Sequence, residues 1–182
     1  MSVSQNASRP SIKEILSKDY WENNEKEMSV SWQDIVKSVG ILGGMSIITG
    51  SAAFVFPLII GVSQKMYTKM GIKCKKKLER SFSYDYPLVV LSLALSLKST
   101  EKIVVAVDDT DDGSILEVEL PSDWKSLAGK LLFEVIDKHK SKTCIKGTSI
   151  VLGQLIDYGK GKKALRETFD NTELFFNKIT SH

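Results

Sequence analysis

Residues 108–119, Asp-Asp-Thr-Asp-Asp-Gly-Ser-Ile-Leu-Glu-Val-Glu, have the spacing of a calcium-binding EF-hand loop. Asp108, Thr110, Asp112 and Glu119 occupy ligand positions one, three, five and twelve. Gly113 stands where the sharp turn is needed and Ile115 at the apolar eighth position. The flanks contradict the motif. Residues 103–107, Ile-Val-Val-Ala-Val, are β-branched rather than helical, and Pro121 stands where an exiting helix should run. In an extended hairpin Glu119 lies about seven residues past Asp112, at about 3.3 Å each, too far to curl back as a bidentate ligand. The expectation is an acidic hairpin turn without micromolar Ca²⁺ affinity.

The other candidate chemistry is thinner. Residues 158–163, Tyr-Gly-Lys-Gly-Lys-Lys, could cradle a phosphate but lack P-loop spacing, and read as a lysine-rich turn. Ser46 in Gly-Gly-Met-Ser-Ile is not a nucleophile elbow, and His139 and His182 have no evident partner. Two cysteines, Cys74 and Cys144, are too few for a disulfide framework, and with two histidines a zinc cage is nearly excluded. Cys74, among lysines beside an apolar run, is a setting for acylation or simply a bystander thiol. Asn6-Ala-Ser8 is a glycosylation sequon that matters only if the N-terminus is luminal. No acid, base and nucleophile set emerges. The expectation is a protein that is not an enzyme, with no catalytic, cofactor-binding or metal-binding residue and no cofactor.

Charge distribution carries more information than any motif. With 25 Lys+Arg against 22 Asp+Glu, the net charge is only +3, and 42% hydrophobic with 26% charged residues is ordinary globular usage. Collagen-like, wholly disordered and polytopic membrane chains are thereby excluded. Within that average, residues 38–64 form 27 consecutive positions without a charge. Seven bases follow in 65–80, Lys65, Lys69, Lys73, Lys75, Lys76, Lys77 and Arg80, against the single acid Glu79. Residues 101–123 then reverse the sign, with eight acids against Lys102.

About twenty apolar residues suffice to cross a bilayer core, and Gly40 with Gly44 forms a G-x-x-x-G pair. Five glycines, Pro57 and several Ser/Thr weaken insertion, so a buried core helix, or two short elements hinged near Gly50–Ser51, stays open. The seven bases after the run fit a polybasic patch on anionic headgroups, at about 1 kcal/mol each. They put the C-terminal part on the cytoplasmic side if the run spans. The same bases could meet the phosphates of RNA or a ribonucleoprotein, though no RNA-reading signature accompanies them. The first apolar run begins too late for a signal peptide.

The elements that must position these charges are read from periodicity. Ser11 and Glu14 form a capping box after Pro10, opening a short helix to about Trp21 that Asn23-Asn24 would end, and Ser31 opens another. Leu91, Leu93, Leu95 and Leu97 alternate with Ser92, Ala94 and Ser96, predicting a strand over 88–97. Residues 103–107 and 116–120 give two more strands of a meander, with Glu117 and Glu119 on a wet face. Trp124, Leu127, Leu131, Leu132, Val135, Ile136 and His139 recur at helical spacing, predicting an amphipathic helix that packs on Leu91, Leu93 and Leu95. Residues 144–145 and 149–156 read as two strands broken at Gly147, and a last short helix begins at Asp170.

The fold class expected is therefore α+β: an antiparallel meander of three to five strands covered by an amphipathic helix, after a helical, partly membrane-seated N-terminal region. Three segments follow: a polar arm 1–37, an apolar then polybasic segment 38–80, and an α+β body 81–182. This plan of polar arm, basic and apolar membrane-facing patches and small α+β body resembles the small basic matrix proteins of enveloped negative-strand RNA viruses. Their proline-rich late-domain signature has no counterpart, since none of the four prolines is adjacent to another. The resemblance implies a non-enzymatic structural or assembly protein of a virion. It would bind an anionic host membrane and a protein or ribonucleoprotein partner, and form a homo-oligomer. The alternative is a single-pass membrane protein with a cytosolic regulatory α+β domain.

Overall fold

The computed structural model describes residues 9–24, 73–123, 126–138, 141–153 and 159–180. Two short helices come first, α1 (Ile12–Ile15) and α2 (Lys18–Asn23). The sheet and its helices follow as β1 (Lys73–Phe82), α3 (Tyr86–Ser99), β2 (Val104–Thr110), β3 (Gly113–Leu120), β4 (Gly129–Asp137), β5 (Thr143–Leu152) and α4 (Lys160–Thr180). The five strands make one antiparallel sheet in the order β1-β5-β4-β3-β2. Strands β2 to β5 are a meander, and β1 closes the far side against β5. The α+β class is as expected, and among the described residues no helix is long and apolar enough to cross a membrane. The apolar run 38–64 lies outside them, as do Trp32, Ser46, Tyr158 and both histidines.

The capping box forms: Ser11 Oγ accepts from the Glu14 N–H, and the Glu14 carboxylate accepts from the Ser11 N–H at 2.7 Å. Instead of one helix to Trp21, Ser17 caps a second short helix, accepting from the Tyr20 N–H. Trp21 is fully buried, and its indole N–H donates to the Ile15 carbonyl.

Residues 88–97 are not a strand. They are the middle of α3, started by Asp85 with Pro87 in its first turn, and every one of them is buried. A helix apolar on all sides has no amphipathic stripe to read. α3 lies between the sheet, α4 and the α1 segment. Its small residues obey the helical period, since Ser92 and Ser96 are one turn apart. Ser92 Oγ donates to the Leu88 carbonyl, and Ser96 Oγ donates across to the Thr168 carbonyl of α4.

The expected helix over 124–139 is instead strand β4. Leu131, Phe133 and Val135 are fully buried on the face that carries the helices, while Leu132, Glu134 and Ile136 alternate to the other. Apolar residues on both faces imitate a helical stripe. The expected packing of 131 and 135 against 91, 93 and 95 joins the right two elements with their types exchanged, because α3 rests on β4.

Gly147 does not break β5, which runs unbroken from Thr143 to Leu152. It pairs with Phe133 on one side and Leu78 on the other. A side chain there would stand 2.7 Å from Leu165 Cδ2 and 3.1 Å from Phe169 Cζ, so the missing Cβ lets α4 settle on the sheet. α4 begins ten residues before the expected Asp170 and takes in Lys160, Lys162, Lys163 and Arg166. Both long helices therefore cover one face of the sheet, and among the described residues no helix packs on the other.

Candidate functional site

Strand β1 has the sequence Lys-Cys-Lys-Lys-Lys-Leu-Glu-Arg-Ser-Phe, poor in strand formers. Ten consecutive cross-strand pairs with β5, from Lys73↔Leu152 to Phe82↔Thr143, hold it extended. Cys74, Leu78 and Phe82 anchor it to the covered face, where Cys74 and Phe82 are buried. Alternation sends Lys73, Lys75 and Lys77 to the open face, with Lys76 on the covered side at the edge. All four lysines are exposed. Cys74 is buried and points away from Lys73, Lys75 and Lys77, which removes it from the surface where acylation was considered.

Arg80, the remaining base of β1, is ion-paired within the fold. Its guanidinium bonds Asp170 at 2.8 Å and Glu173 at 3.1 Å, both on α4, and stands 5.6 Å above the Phe169 ring. It ties the edge strand to the long helix. Lys65 and Lys69 lie outside the described residues, so the described part of the basic set is the lysine cluster of β1 together with the paired Arg80. Beside it, Glu79 accepts from the Cys144 thiol at 3.0 Å. Burial pushes that thiol up, and the bond to Glu79 adds to the shift.

The opposite edge carries the opposite charge. β2 and β3 form a hairpin closed at Thr110↔Gly113, with Asp111 and Asp112 in the turn. Asp108, Asp109, Asp111 and Asp112 are all exposed. Gly113 is required there, because a Cβ would meet the Val135 carbonyl oxygen at 1.8 Å. The hairpin expected over these residues is present, and it separates the carboxylates: Asp108 pairs with Ile115, whereas Glu119 pairs with Lys130 at the far end of β3. Among the described residues no three His, Cys, Asp or Glu side chains gather as metal ligands.

Arg9, which no sequence pattern marked, fixes this hairpin. Its guanidinium donates to the carbonyls of Thr110, Asp111 and Gly113, the last two at 3.1 Å, and lies 5.2 Å above the Tyr86 ring. The Ile12 N–H donates to Asp109 Oδ1 at 2.9 Å, and Tyr86 Oη bonds Ser114 Oγ at 2.9 Å. The arm thus binds the hairpin from the covered side.

No family model matches the chain, and no curated protein matches its sequence.

Of the lysines in the 158–163 segment, Lys160 is tied down, while Lys162 and Lys163 are exposed. The segment's described part opens α4 beside a groove of about 590 Å³. There Lys160 bonds the Pro121 carbonyl and pairs with Asp123 at 3.2 Å, while Lys102 pairs with Glu167 at 3.6 Å. The groove is lined by charges of both signs, which gives an anion little net attraction.

Proposed function

We propose that the protein is a non-enzymatic, membrane-associated structural or assembly protein that binds anionic membrane surface through residues 38–80. Four exposed lysines on one edge strand, Lys73, Lys75, Lys76 and Lys77, carry the reading. They follow closely on a 27-residue uncharged run. In this reading the run seats in the membrane and Lys65, Lys69 and the β1 lysines meet the headgroups. Arg80 holds β1 to α4, and the bulk of the chain stays on the cytoplasmic side.

The sheet suits such a placement. Four inter-strand gaps of about 4.8 Å put the aspartate hairpin about 19 Å from the lysine edge. That exceeds two Debye lengths at physiological salt, about 8 Å each, so the anionic surface scarcely repels the aspartates. The body then offers its far edge and open face to a protein or ribonucleoprotein partner, or to further copies of itself, as a matrix-like layer requires.

Flotation on liposomes tests the reading. Replacing the four β1 lysines by glutamate should release much of the protein from anionic vesicles, and unchanged flotation would remove the electrostatic half of the proposal. The second reading is a single-pass anchor with a cytosolic regulatory domain, favoured by lysines placed directly after the uncharged run. Carbonate extraction separates the two, since it strips peripheral protein and leaves a spanning helix in the bilayer.

A further inference from the structure

The two edges of the sheet are matched to each other. We infer that copies of this chain dock edge to edge, the lysine edge of one on the aspartate edge of the next. Among the described residues β1 pairs only with β5 and β2 only with β3, so each has an outer side without a strand neighbour. Identical copies can bring such edges together in three ways. Opposing the charged run of β1 to itself sets lysines against lysines, and opposing that of β2 to itself sets aspartates against aspartates. Uniform charge on an edge is how sheets prevent self-pairing. Only β1 against β2 brings the two runs of opposite charge together.

The two runs also match in length. Lys73, Lys75, Lys76 and Lys77 fall within five positions, and so do Asp108, Asp109, Asp111 and Asp112. Through the alternating antiparallel sheet, β1 and β2 run in the same direction. The lysines lie in the first half of β1, whereas the aspartates lie at the end of β2 and in its turn. Parallel copies set side by side would leave the runs out of step. Turning each successive copy over, so that β2 meets β1 antiparallel, sets 73–77 directly opposite 108–112. Arg9 and Ile12 hold the hairpin from the covered side, so the acidic edge is ordered before a neighbour arrives.

Such a contact uses different surfaces on its two members, so it leaves a free edge at each end and propagates. It buries little area, so it should be weak and salt-sensitive. It does not rest on membrane binding, but it claims the same lysines, so an anionic surface and a neighbouring copy compete for the lysine edge.

The test is sedimentation velocity on the full chain in a zwitterionic detergent, with liposome flotation in parallel. The wild type should sediment faster with rising concentration at low salt and return to the monomer boundary at high salt. K73E/K75E/K76E/K77E and D108K/D111K/D112K, all at exposed positions, should each stay at that boundary, because each gives both edges the same net sign. The variant carrying both sets exchanges the signs of the two edges and should regain the concentration-dependent shift. A wild type that stays monomeric, an association unaffected by salt or by either reversal, or a combined variant that fails to regain it overturns the inference. Flotation separates this from the membrane reading: D108K/D111K/D112K should still float on anionic vesicles, whatever its sedimentation.

Discussion

The covered face of the sheet and its lysine edge are built on opposite terms. On the covered face Phe133 is fully buried against Phe169 at a ring separation of 6.1 Å, with Leu116, Leu131, Val135 and Ile145 buried beside it. At the edge, Lys73, Lys75, Lys76 and Lys77 stand exposed on a strand whose shape depends on pairing with β5. Burial of apolar area stabilises a fold, while exposed charges contribute little to folding and much to what the surface attracts. Stability should therefore reside on the covered face and recognition at the edge.

Adjacent positions of β4 break or sharpen that contrast most strongly. Phe133→Ala, under α4, should cost about 3–5 kcal/mol in urea unfolding, the usual cost of emptying an aromatic site in a core. Leu132→Ala, one residue along and on the open face, should cost less than about 1.5 kcal/mol. Equal losses would mean that the open face is packed as tightly as the covered one. Next in size, Ser11→Ala removes the cap that accepts from the Glu14 N–H and should cost about 1 kcal/mol, read as faster amide exchange in α1.

The edge should behave in the opposite way. Each of Lys73, Lys75, Lys76 and Lys77 changed singly to glutamine should shift unfolding by no more than about 0.5 kcal/mol. The smallest expected effect is a pH dependence. Burial raises the Tyr86 phenol above its ordinary value of 10.0, despite the bond to Ser114. A group whose folded value is raised keeps its full stability contribution below pH 10.0 and loses it as pH rises further. Tyr86→Phe should flatten that alkaline loss, and an unchanged alkaline profile would place the titration elsewhere.

How much of this was legible follows the same division. The capping box at Ser11 and Glu14 and the hairpin through Asp111 and Asp112 are local and one-sided, so sequence spacing predicts them. α3 was hidden because burial at every position from 88 to 97 leaves leucines on all sides, and the Leu/Ser alternation imitates a strand. β4 was hidden for the converse reason, since Leu132 and Ile136 on the open face complete a false helical stripe. The lysines were visible as a run, but their place on an edge strand depends on β5, some seventy residues away. Arg80 and Arg9 could not be sorted from sequence at all, because the partners that tie them down lie 90 or more residues away.

Membrane attraction by the lysine edge is tested most directly by flotation of the wild type and of K73E/K75E/K76E/K77E on vesicles with and without phosphatidylserine. At about 1 kcal/mol per lysine, losing four should weaken binding to anionic vesicles by about three orders of magnitude. The account predicts a wild type that floats better on anionic than on neutral vesicles and a variant that has lost this difference. A variant that keeps the full preference for anionic vesicles would contradict it.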